Sequence, residues 1–171
     1  MNEDIVFDLE KYKAVIHYII DKCSLKDNVE RTVLQKLLYF SDFDHYEIFE
    51  RPITGEKYVK KPRGPVPTHF NDTSMKLERE GKISICKEKS ENDLKFRYSS
   101  LTPPVTDSLS QNELDLIDGV VDKLSDFHSS EISEYSHGDL PWRLAGDDAE
   151  LNYEAVFYRE PQYSVRSYGW L

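Results

Sequence analysis

The chain has 171 residues, 39% of them hydrophobic and 12% aromatic, with a mean hydropathy of -0.63. That composition excludes a disordered polymer and a bilayer-spanning protein, and the length suits one domain with a sizeable core. The formal net charge is -10, and all of it lies in residues 107–171, which hold 14 acidic and 4 basic side chains against 18 of each in residues 1–106.

An acidic half of that size opposes nonspecific binding to phosphate backbones, and its sign favours a basic partner. The start, "MNEDIVFDLE", is acidic where a signal peptide is basic and then apolar. Cys23 and Cys86 lack metal-type spacing, so the expectation is a reduced, cytoplasmic protein.

Tyr12, Val15, Ile16, Ile19 and Ile20 have the spacing of one helical face, with Asp8 and Glu10 at the end where acids are favoured. Asp27 and Glu30 have capping-box spacing and predict the start of a second helix. This helix carries Val33, Leu34, Leu37, Leu38, Tyr39, Phe40 and Phe43, too wide a set for one stripe, which places it at the centre of the fold. Pro52 and a turn at Gly55 end it. "YVKKPRGPVP", with prolines at 62, 65 and 67, reads as an extended segment leading to a third helix. Pro67 suits that helix's first turn, Phe70 and Leu77 its inward face, and Gly81 its end.

Ile83 and Ile85, then Phe96 and Tyr98, alternate with polar residues around a turn at Ser90–Asp93, predicting a β-hairpin. After the connector "LTPPVTDSLS", Ser110 and Glu113 form a capping box for a helix with Leu114, Ile117, Val121 and Leu124 on one side. A short helix over "SEISEYSHG" ends at Gly138, and Asp139 with Pro141 opens another turn through Trp142 and Leu144. The aromatic stretch from Asp147 onward has no clear period. These elements predict an α+β protein, predominantly α-helical, with a small antiparallel β-hairpin.

Three places carry side chains suited to chemistry or recognition. "DFDHYE" puts Asp42, His45 and Tyr46 on one helix face, which suits a metal or acid–base site or a polar helix end leaving the core. A metal-assisted site would join Asp42 and His45 with His137. "YSHGDLPW" places His137 before a Gly turn and Trp142 after a proline, to orient a partner or to cap a helix and fill the core. "KYVKKPRGP" carries Lys57, Lys60, Lys61 and Arg63. The element order also fits a winged-helix DNA reader, yet the third helix sets Lys76 and Arg79 against Asp72, Glu78 and Glu80. No G-x-S-x-G and no Gly-rich phosphate loop is present.

"KLLYFSD", "RPITGEKYVKKPRGPVP" and "SHGDLPW", in that order, together with "LEREGKI" and "EISEYSHGDLPW", resemble the Panacea domain, or SocA-like antitoxin domain. The resemblance runs from about Lys11 to Trp142. It divides the chain into a domain over 1–150 and an aromatic-rich extension over 151–171, packed on or next to it. It implies a mostly helical domain with a small β element, found in bacteria, archaea and phages. Members act as antitoxins that bind and neutralise protein toxins encoded beside them, with no catalysis and no cofactor.

Prolines stiffen the strip between Gly55 and His69, so less entropy is lost when a partner docks there. The expected contact residues are Tyr58, Lys60, Lys61, Arg63 and His69 of the strip with His137 and Trp142. The partner is a cognate protein toxin; the alternative is a DNA-binding regulator of its own operon.

Overall fold

The computed structural model describes residues 4–168. Helix α1 (Leu9–Lys22) starts where the acids predict: the Asp8 carboxylate accepts a 3.0 Å hydrogen bond from Lys11 N–H. Tyr12, Val15, Ile16, Ile19 and Ile20 are all buried. Helix α2 (Arg31–Phe49) is the central rod, buried at every position from Val33 to Glu47. Each large apolar side chain removed from water here stabilises the fold by about 1.5–3 kcal/mol.

The Asp27–Glu30 capping box does not form. The N-cap is Glu30, with no side-chain cap bond. Glu30 is instead bridged to Arg97 in strand fashion, and Arg97 also donates to the Asp27 carbonyl. The chain thus enters α2 from a β-like pairing, which uses the backbone groups that a capping turn would have arranged.

"YVKKPRGPVP" is not one extended segment. It folds back as strands β1 (Tyr58–Lys61) and β2 (Gly64–Pro67), paired antiparallel from Tyr58↔Pro67 to Lys61↔Gly64. Pro67 therefore ends β2 rather than opening a helix. Helix α3 (Phe70–Arg79) begins after it with His69 as N-cap. The His69 N–H is satisfied by the buried Glu56 carboxylate at 2.9 Å. At the far end of α3, Gly81 takes a left-handed conformation with φ 74°. Its N–H bonds the Glu78 carbonyl and the Lys82 N–H bonds the Leu77 carbonyl, both at 3.0 Å, a Schellman stop.

Strands β3 (Ile83–Ser90) and β4 (Asp93–Ser100) form the predicted hairpin, Ile83↔Ser100 to Ser90↔Asp93. Helix α4 (Gln111–Leu124) has its capping box in place, with Ser110 and Glu113 bonded reciprocally at 2.8 and 3.1 Å. Helices α5 (Ser129–His137) and α6 (Leu140–Leu144) follow, then a 3-10 turn, Tyr153–Tyr158. The architecture is a mostly helical α+β domain with two separate two-stranded antiparallel sheets. Helices α1, α4 and α5, strand β2 and the 3-10 turn all pack on α2. No helix among the described residues is long and apolar enough to cross a membrane.

Candidate partner-binding face

The acidic end of α2 fastens neighbouring segments. Asp42 accepts hydrogen bonds from Thr54 N–H (2.8 Å), Thr54 Oγ1 (2.6 Å) and the Tyr58 hydroxyl (2.7 Å), closing the turn that leaves α2. Burial pushes its carboxyl up to about 6, against the pull of those donors. His45 lies 2.5 Å from the Arg51 carbonyl through Nδ1, so that nitrogen donates. His137 is elsewhere, at the end of α5. Among the described residues, no group of three or more His, Cys, Asp or Glu is placed to hold a metal ion.

Asp44 and Glu47, on the same helix, receive Arg159 from the C-terminal segment at 2.8 and 3.0 Å. Arg159 also bonds Asp139, and Tyr39 donates to Asp139 at 2.7 Å. Glu47 additionally accepts from Ser164 Oγ (2.5 Å) and Val165 N–H (3.1 Å). Leu151, Tyr153, Ala155 and Val156 of this segment are buried, and the Tyr153 ring stacks on Phe43 at 4.1 Å.

The residues expected to contact a partner divide into two groups. At the turn end of the β1–β2 hairpin, Trp142 Nε1 donates to the Lys61 carbonyl at 3.1 Å. The Lys60 ammonium sits 4.2 Å above the Trp142 ring and bonds the Ala145 carbonyl. His137 stacks on Trp142 at 4.3 Å, and its Nε2 is buried without a hydrogen-bond partner among the described residues. Lys61 reaches Asp148 at 2.6 Å, and Arg63 stands exposed at the tip. Lys60, His137 and Trp142 thus form one cluster, with the Lys61 backbone tied to it and the Lys61 and Arg63 side chains exposed at the turn.

Tyr58 and His69 do not join it. Tyr58 is 1% exposed and belongs to the core, its hydroxyl spent on Asp42 and the Leu38 carbonyl. An alternating strand must turn one side inward, and β1 turns Tyr58. His69 lies at the opposite, open end of the hairpin, held 2.6 Å from Glu56 and stacked on Phe7 at 4.1 Å. Pro65 and Pro67 are also buried, so the strip meets solvent at its tip, Lys61–Arg63, and at its open end, Lys57 and Thr68.

Beneath that tip, the backbone makes a close approach. Gly64 has φ 117°, and a Cβ there would lie 2.5 Å from Lys36 Cε and would also strike Ser136 Oγ. Lys36, Gly64 and Ser136 come from the three segments "KLLYFSD", "KKPRGPVP" and "SHGDLPW", which therefore converge on one point. The match to a known family covers the same stretch: residues 34–143 fit the model described as Antitoxin SocA-like, Panacea domain.

The chain belongs to this family. It matches no curated protein and no solved structure. The Panacea match begins at Leu34 and ends at Arg143, so the three converging segments lie within it and Arg159 lies beyond it. Sequence reasoning missed Lys36 and Arg159. The signal for Lys36 was a lone cation inside an apolar run.

Proposed function

We propose that this Panacea-domain protein is an antitoxin that neutralises a cognate protein toxin by binding it directly, without catalysis. The contact is the face built by the hairpin tip and α6. The observation that carries this reading is the fixed cluster of Lys60, Trp142 and His137 behind the exposed Lys61 and Arg63. Aromatic side chains and arginine are enriched where binding energy concentrates. Pro62 in the turn and the tryptophan tie to the Lys61 carbonyl hold the tip in place, so docking orders little that is not already ordered.

Co-expression with the adjacent gene tests the proposal. Relief of growth arrest, with a stable complex of the two purified proteins, is the expected result. A growth-arresting neighbour whose toxicity persists beside abundant folded protein overturns it.

A further inference from the structure

Lys36 is 1% exposed, on the side of α2 that faces the first hairpin, with its stem against Gly64 and Ser136. Helical side chains lean toward the N-terminus of their own helix, so this stem runs toward Thr32, one turn earlier. Thr32, Arg63 and Ser133 line a cleft of about 770 Å³ between the hairpin tip, the starts of α2 and α5, and the β3–β4 hairpin. Lys36 does not line this cleft; its stem lies against Gly64, the residue next to Arg63.

Charge there is not balanced from within. The other deeply buried cation, Arg159, is surrounded by Asp44, Glu47 and Asp139. Lys36 has no hydrogen bond or ion pair with any described residue, and the charge acting on it is a second cation, Arg63. Burial, and then Arg63, push the amine down to about 7. A buried ammonium lacking a counter-ion is costly, and a methionine would fill the same space without that cost.

The remaining charges around the cleft are otherwise engaged or sit at its rim. From α2, Arg31 also lines the cleft, engaged with the Tyr98 hydroxyl at 2.9 Å and the Phe96 ring at 3.6 Å. From the second hairpin, Asp93 accepts from Leu94 N–H, and Lys95 is exposed. Glu30 lines the opening beside them. A run of phosphates would meet Glu30 and Asp93, whereas a single small anion needs only Arg63 at the cleft wall, with Lys36 behind it.

We infer that Lys36 and Arg63 form a seat for one carboxylate presented by the partner protein, an Asp or Glu side chain or a chain terminus. The guanidinium offers a planar fork to the two oxygens and the ammonium a point charge from beneath. This rests on the hairpin tip being the partner-binding face, and it names what that face receives. The net charge of the whole chain is negative, but at this point the field is positive, so the partner is read locally by an acid.

Two measurements test it separately from the antitoxin role. In the protein alone, the Lys36 ¹³Cε and ¹Hε shifts, assigned by their loss in Lys36→Met, are followed against pH in acetate and in chloride at equal ionic strength. Acetate is expected to raise the Lys36 midpoint, and to do so less in Arg63→Gln. A midpoint indifferent to acetate overturns the seat. In the second, the adjacent gene's product is titrated into wild type, Lys36→Met and Arg63→Gln, each checked for fold by circular dichroism. Both variants are expected to lose about 30-fold or more in affinity, the lower range for truncating one member of a buried charge pair. Equal affinity for all three overturns the seat while leaving the antitoxin reading intact. No binding by wild type overturns the antitoxin reading, and the acetate titration then decides the seat alone.

Discussion

Arg159 and Asp139 meet fork to fork, Nε to Oδ1 at 2.9 Å and Nη2 to Oδ2 at 2.8 Å, both side chains fully buried. Asp139 opens α6, the helix that carries Trp142, so this pair ties the C-terminal segment to the helix behind the proposed partner-binding face. Nη1 of the same arginine reaches Asp44 and Glu47. One cation thus answers three acids, and the remaining negative charge, with burial first, pushes the Asp44 carboxyl up to about 6.

Removing that cation leaves the acids unanswered. Arg159→Met is expected to cost about 3–5 kcal/mol, the penalty for breaking a buried ion pair from one side. Urea unfolding monitored by circular dichroism measures it. Arg159→Lys is expected to recover only part of the loss, because an ammonium cannot serve Asp139 bidentately and Asp44 and Glu47 at once. A midpoint within experimental error of wild type for either variant would show that the network contributes nothing.

Much of this fold was legible because its signals are local. The α1 stripe, the Ser110–Glu113 box and the alternation around Ser90–Asp93 are each contained within a few residues, and each formed as expected. The first hairpin was not legible, because prolines at 62, 65 and 67 mask strand alternation in a segment that reads as extended, and the close approach of Gly64 to Lys36 and Ser136 involves residues distant in sequence. The acids of "DFDHYE" looked like a site because their partners Thr54, Tyr58 and Arg159 are supplied by later segments. Of the expected recognition residues, Tyr58 differs because strand alternation, invisible in a segment read as extended and single, turns it inward.

Stability should depend on pH through five buried groups, Asp42, Asp44, Lys36, His17 and His45. Asp42 and Asp44 have native values of about 6 against 3.8 for the free side chain. The native state therefore binds their protons more tightly, and the stability they lend at low pH is lost as pH rises from about 4 through 6. Lys36 has a native value of about 7 against 10.5, so the unfolded state binds its proton more tightly and stability rises across pH 7 to 10.5. His17 and His45, held down by burial, act in the opposite sense to the carboxyls in acid. Differences from wild type are thus the readout. Asp44→Asn is expected to flatten the acid limb of the urea-midpoint profile and Lys36→Met the alkaline limb, with Lys36→Met the more stable protein at pH 6. A Lys36→Met profile parallel to wild type above pH 7 would contradict this.

Two glycines should respond in opposite ways to the same methyl group. Gly64→Ala forces a Cβ into Lys36 and Ser136 at φ 117°, a conformation nearly closed to alanine, and should destabilise by about 2–3 kcal/mol. Gly119, in the middle of α4, has nothing within 4 Å of an added Cβ. Gly119→Ala should stabilise by about 1 kcal/mol through helix propensity. Thermal midpoints of the pair decide, and equal shifts would mean that the close approach at Gly64 is absent in solution.

The face itself is tested by variants at the hairpin tip and α6, with one core variant for comparison. Arg63 is exposed and makes no hydrogen bond or ion pair with a described residue, but its charge bears on the buried Lys36, so Arg63→Glu should leave the fold intact and, by setting an acid near Lys36, raise stability rather than lower it. It nevertheless reverses the charge at the hairpin tip and should abolish neutralisation of the cognate toxin in co-expression. Trp142→Ala removes the ring shared by Lys60 and His137 and should weaken binding by about 2 kcal/mol or more, as truncating an interfacial aromatic anchor does. Tyr58→Phe is the internal comparison. It deletes only the hydroxyl that Asp42 and Leu38 share, so it should lower the unfolding midpoint while leaving affinity unchanged. Calorimetric titration alongside unfolding separates the two effects. Full neutralisation by folded Arg63→Glu and Trp142→Ala would move the contact surface away from the hairpin tip altogether.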